Sequence, residues 1–103
     1  MTIKKKYLKT KPVCKITFII PSSISKQYNS ASIVGTFNDW NKNENQMIKL
    51  KTTGEFKTTL NLPINRKYYF RYLLDEHIWH NDESADAYEK TEYGDSDNCV
   101  LNV

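Results

Sequence analysis

Glycine and proline are scarce in this chain of 103 residues, at three each, and cysteine occurs twice. So little glycine and proline excludes collagen-like and low-complexity sequence. Two thiols, Cys14 and Cys99, are too few for a disulfide scaffold. They also cannot build a four-ligand zinc site, because the two histidines, His77 and His80, sit together in one short stretch. Long apolar runs are missing as well. Purely aliphatic or aromatic runs such as Phe18-Ile19-Ile20 reach only three residues, against the roughly 20 residues that a membrane span needs. The basic start, Met1-Thr2-Ile3-Lys4-Lys5-Lys6, has no apolar stretch behind it, so no secretory signal is expected, and a cytoplasmic protein is the default. Reduced, half-buried strand cysteines follow from that compartment. A bond between them requires the terminal strands to be neighbours.

Arginine is nearly absent too. Only Arg66 and Arg71 supply guanidinium groups, which is sparse for a surface that reads phosphates. The net charge of +3 is unevenly spread: Lys4, Lys5, Lys6, Lys9, Lys11 and Lys15 crowd the beginning, and nine of the twelve acids fall between Asp75 and Asp97. Residues 1–11 read as a basic, flexible, solvated leader, because no basic stripe continues into the aromatic segments. Neither nucleic acid nor membrane is an expected partner. Residues 12–103 suit a single domain, one that buries only about two-thirds of its unfolded surface.

Within that domain the alternation of residue types is the strongest signal. Cys14, Ile16, Phe18 and Ile20 share one face of Val13–Ile20, with Lys15 and Thr17 on the other, the period-two mark of a half-buried strand. Further strands are predicted over Ser32–Phe37, around Met47, Ile48 and Leu50, and through Phe56, Thr58, Leu60 and Leu62 after a Thr53-Gly54 turn. Lys67–Asp75 is the run richest in β-formers, and Asn98–Val103 fits a last strand. Asp82–Tyr93 reads as mostly polar loop with room for a helical turn. Six or so short strands point to an all-β, immunoglobulin-like β-sandwich.

A catalytic reading needs a nucleophile–base pair, a metal set or paired carboxylates. The histidines of Glu76-His77-Ile78-Trp79-His80 have no serine or cysteine at a motif spacing. The acids from Asp75 to Asp97 read as solvated loop residues rather than the pair that glycoside hydrolysis holds across a bond. No enzyme activity and no cofactor are expected. Trp40 and Trp79 say more, because both stand among Asn and Asp at strand ends: Asn38-Asp39-Trp40-Asn41 and Ile78-Trp79-His80-Asn81-Asp82. An indole plane stacks on the apolar face of a glucose ring while nearby amides and cations hydrogen-bond the hydroxyls. The other reading is that each tryptophan plugs an end of the sandwich.

Ile33-Val34-Gly35-Thr36-Phe37-Asn38-Asp39-Trp40, Phe70-Arg71-Tyr72-Leu73-Leu74-Asp75, Trp79-His80-Asn81-Asp82 and Ala85-Asp86-Ala87-Tyr88 follow one another in an order and spacing that resemble carbohydrate-binding module family 48. That family includes the isoamylase early-set domain and the glycogen-binding domain of the AMP-activated protein kinase beta subunit. The resemblance runs from about Lys11 to Val103. It implies an immunoglobulin-like sandwich of early-set type that binds glycogen, starch or maltodextrin, an α-1,4-linked glucan, without catalysing anything. By the same resemblance Trp40 and Trp79 match the stacking tryptophans and Arg71 takes the place of a sugar-binding lysine. The counterpart of a sugar-contacting asparagine is Asp97 or Asn98; Asn98 is taken as the supporting amide, and Lys49 and Lys51 are expected to flank the site. The alternative is an accessory domain that meets a glycogen-metabolising enzyme and binds no sugar itself. One departure stands out: Asp75-Glu76-His77-Ile78 precedes the second tryptophan where the family turn reads Asp-Gly, one residue longer.

Overall fold

A computed structural model describes residues 1–91 and 96–103. Strand β1 (Thr2–Tyr7) pairs antiparallel with β2 (Val13–Ile20), β2 with β5 (Phe56–Pro63), and β5 with the short β4 (Ile48–Lys49). These make the first sheet. In the second, β3 (Ala31–Gly35) pairs with β6 (Lys67–Leu74), β6 with β9 (Asp97–Asn102), and β9 with β8 (Ala87–Lys90), all antiparallel. Strand β7 (Ile78–His80) pairs with the far end of β6, on residues Tyr72–Leu74, just beyond where β9 lets go at Phe70. A single turn of helix, α1 (Ser22–Ser25), follows Pro21. The chain is an all-β sandwich, as its alternation predicts.

The core lies between the sheets. Cys14, Ile16, Phe18 and Ile20 of β2 face Ile33 of β3, Phe70, Tyr72 and Leu74 of β6 and Leu101 of β9, all of them fully buried. Phe18 and Phe70 meet across the two sheets with ring centroids 5.4 Å apart and planes at 62°, the edge-to-face geometry aromatic quadrupoles favour. Both cysteines are buried outright rather than half-buried, and they carry free thiols in different sheets.

Two further expectations are corrected. The basic beginning is not a loose leader throughout, because Thr2–Tyr7 is an edge strand. Ile3 packs against the core, and Lys5 reaches across the sandwich edge to the Asp86 carboxylate at 2.6 Å and the Asn102 carbonyl at 2.9 Å. Its other lysines guard an open edge against pairing. The stretch expected as polar loop from Asp82 contains β8, and its Tyr93 lies outside the described residues. No helix among the described residues is long and apolar enough to cross a membrane.

Candidate carbohydrate-binding face

The register of the second sheet sorts its residues by face. Tyr68, Phe70, Tyr72 and Leu74 of β6 point to the core, so Lys67, Tyr69, Arg71 and Leu73 point out. Trp79 pairs with Leu73, Val100 with Tyr69 and Val34 with Arg71, which puts all three on that outer face, and Asn98 joins it two residues before Val100. Val34, Leu73 and Val100 are buried even though they face away from the core.

Arg71 stands at the centre. Its guanidinium lies 5.4 Å from the Trp79 ring centroid, within cation–π reach. Arg71 Nε donates to Asn81 Oδ1 at 3.1 Å, and Nη1 reaches Ser96 Oγ at 3.5 Å. Asn81 in turn donates from Nδ2 to the Asp97 carbonyl at 3.0 Å, closing the fork where β7 and β9 part along β6. One amide thus fixes the arginine and ties the two strands. Trp79 remains 47% exposed, so the guanidinium leaves much of the indole accessible.

Trp40 is positioned by a different device. Gly35 ends β3, and a Cβ there would lie 2.3 Å from the Tyr69 carbonyl oxygen and 2.9 Å from the Phe37 ring; only glycine permits this approach. A 3₁₀ turn, Thr36–Asn38, follows. The Asn38 side chain accepts from Gly35 N at 3.1 Å and donates to the Ile33 carbonyl at 3.1 Å and to Asn45 Oδ1 at 2.8 Å. With the chain so held, Asp39 and Trp40 both take left-handed conformations, at φ 53° and 59°. Each costs an L-residue roughly 1–2 kcal/mol. A bulky aromatic in that region is a true outlier, and such strain gathers at binding sites. Trp40 is 39% exposed, with its backbone N–H donating to the Gly35 carbonyl at 2.9 Å.

The turn into β7 is strained in the same way. Asp75 and Glu76 sit at φ 49° and 66°, and His77 N closes the turn on the Leu74 carbonyl at 3.2 Å. The Asp75 carboxylate accepts from Asn29 N at 2.7 Å and Ser30 N at 3.1 Å, which anchors the longer turn to the segment entering β3.

Of the residues picked out in the sequence, Arg71, Trp79 and Asn98 share the outer face, and Trp40 rises from the loop at its β3 border. Lys49 does not flank them: it lies in the first sheet, bonded to the Tyr28 carbonyl at 2.8 Å and set 5.0 Å over the Phe56 ring. Asn81 and Ser96 were not singled out, although the spacing Trp79-x-Asn81 places the amide on the indole's side of a strand. Asp82, expected among solvated acids, is fully buried, with Tyr72 Oη donating to its Oδ2 at 2.6 Å and Ser84 N to its Oδ1 at 2.7 Å.

No curated protein matches the chain. Residues 23–103, well over half of its length, match the family model described as the glycogen recognition site of AMP-activated protein kinase. The match begins at α1 and takes in every element of the face just described. The chain therefore belongs to that family of carbohydrate-binding, glycogen-recognition domains.

Proposed function

We propose that the chain is a non-catalytic module that holds an α-1,4-linked glucan against Trp40 and Trp79, with Arg71 donating to sugar hydroxyls and the Asn98 amide supporting it. The observation that carries this reading is the Arg71–Trp79 pair, a fixed cation beside a half-exposed indole. A glucose unit laid on the indole brings its equatorial hydroxyls toward the arginine, whose five N–H groups are not all occupied by Asn81 and Ser96. Prior fixing by Asn81 removes part of the ordering cost of binding. An open face desolvates little area, so short oligosaccharides bind weakly, whereas a polymer offering many copies gains by multivalency.

Electrophoresis through a native gel cast with glycogen tests the reading. The wild type is retarded, and Trp79→Ala and Trp40→Ala run unretarded while keeping a cooperative thermal transition. Equal mobility of the wild type with and without glycogen would overturn sugar binding and favour a docking domain for a glycogen-metabolising enzyme. Release of reducing sugar or formation of new branches by the pure protein would overturn the non-catalytic part.

A further inference from the structure

Below Arg71 the outer face of β6 repeats its own pattern. The Lys67 ammonium lies 5.5 Å over the Tyr69 ring, as the Arg71 guanidinium lies over Trp79. From β8, Glu89 closes the group: its Oε1 accepts from Tyr69 Oη at 2.9 Å and its Oε2 from Lys67 Nζ at 2.5 Å. Glu89 pairs with Asn98 across β9, so the cluster adjoins the proposed sugar contacts. The row from Leu73, beside Trp79, to Lys67 covers six residue steps, roughly 20 Å at about 3.3 Å each.

The geometry points to a second glucose subsite, in which the Glu89 carboxylate and the Lys67 ammonium, braced on Tyr69, take neighbouring hydroxyls of a further unit of the same glucan chain. This rests on the glucan reading above and extends it from a single contact to a stripe. A carboxylate has about four lone-pair sites and Glu89 uses two here; an ammonium has three donors and Lys67 gives one to Glu89. Acceptor and donor side by side suit adjacent hydroxyls, each of which both gives and takes a hydrogen bond. The carboxylate also argues against an anionic ligand, which it would repel. The two groups keep each other charged: the bond to Glu89 raises the Lys67 ammonium above the usual lysine range, and the same bond lowers the Glu89 carboxyl. Lys67 and Glu89 are 47% and 43% exposed as side chains. An ion pair so open to water adds little stability, and the same openness leaves both heads accessible to a ligand.

Calorimetric titration with maltose and with maltoheptaose separates this inference from the reading beneath it. In the wild type maltoheptaose binds more tightly than maltose, and Glu89→Gln and Tyr69→Ala reduce the ratio of the two affinities by about fivefold, the scale of one net hydrogen bond. Trp79→Ala weakens both sugars together. A ratio left unchanged by both Glu89→Gln and Tyr69→Ala overturns the second subsite while leaving the glucan reading in place. Maltose and maltoheptaose binding of equal strength in the wild type overturns it as well. No binding of either sugar by the wild type overturns the glucan reading and the subsite with it.

Discussion

Arg71 Nε and the Asp97 carbonyl are joined through one side chain, Asn81, whose Oδ1 accepts from the first at 3.1 Å and whose Nδ2 donates to the second at 3.0 Å. The arginine is thereby oriented along its own strand, and the orientation depends on two neighbouring strands, β7 and β9, keeping their places. Asn81→Leu removes both bonds and keeps the same number and branching of heavy atoms. On the glucan reading the arginine then swings free of the indole, and affinity for glycogen in the native gel falls about three- to tenfold, the scale of one net hydrogen bond. Asn81→Asp, which keeps the acceptor for Arg71, retains most of the retardation. Equal mobility shifts for wild type and Asn81→Leu would separate the amide from sugar binding.

Alternation places β2 at Val13–Ile20 with no error at either end, because a strand buried on one side and wet on the other must alternate. The same rule fails for β1, where Lys5 turns toward the core side of the sheet yet ends in solvent at Asp86; a lysine stem reads as polar in sequence even when its partner is on the other sheet. Strand β7 is too short for any period to show. Trp40, Trp79, Arg71 and Asn98 were legible as candidates only, through family likeness. Asn81 was not, since its role exists only where β7 and β9 diverge beside β6, a relation among residues distant in sequence.

Among the described residues Asp82 is the fully buried acid, and Tyr72 Oη donates to its carboxylate at 2.6 Å. Tyr72→Phe preserves the ring packed on Phe70, with centroids 5.8 Å apart, and deletes the hydroxyl alone. The carboxylate then keeps the Ser84 amide but loses a bond that nothing replaces, so stability falls by about 1–3 kcal/mol. Urea unfolding checks this as a lower midpoint with an unaltered slope. A midpoint equal to wild type would mean that water or another donor takes the hydroxyl's place.

Alkaline stability follows from Cys99, next to the same acid. Burial pushes its thiol up to about 11 from 9.0, outweighing the bond from Asp82 that lowers it; burial also raises Cys14 and Tyr72. In the unfolded chain the Cys99 thiol releases its proton near 9.0, whereas the folded protein holds it until about 11. The unfolded state therefore binds fewer protons in that window. Stability is complete below about pH 9 and declines as the pH climbs toward 11, by no more than about 1.4 kcal/mol per pH unit for one proton. Unfolding midpoints measured from pH 8 to 10.5 trace the decline, and Cys99→Ala, although less stable overall, shows a shallower one. Parallel curves would assign the loss to other groups.

Glu76 occupies, at φ 66°, a place in the turn that an L-residue takes at a cost. It is exposed, and Asp75 ties the turn to Asn29 and Ser30, through its carboxylate and through its backbone N–H to the Ser30 carbonyl at 3.0 Å. Glu76→Gly relieves the left-handed penalty but gives the unfolded chain more freedom, and these oppose each other. The relief, roughly 1–2 kcal/mol, exceeds the entropic cost of roughly 0.4–1 kcal/mol, so the variant is more stable by about 0.5–1 kcal/mol. Thermal unfolding would show a rise of a few degrees for a domain of this size, and glycogen retardation should persist because Trp79 keeps its pairing with Leu73.

Gly35→Ala tests the opposite case, a glycine retained for space at φ −171° rather than for a left-handed turn. The added methyl would meet the Tyr69 carbonyl at 2.3 Å and the Phe70 Cβ at 2.9 Å, both on β6, which pairs with β3 at this very residue. Backbone cannot rotate away as a flexible side chain can. The strands must part, at a cost of about 1–3 kcal/mol or more. The same movement releases Asn38, whose bond to Gly35 N helps hold Asp39 and Trp40 in their left-handed conformations. Two losses are therefore expected together: a lower melting temperature, and weaker retention by glycogen at temperatures where the variant is still fully folded. A destabilised variant with undiminished retention would show that the strained turn positions Trp40 independently of the β3 end.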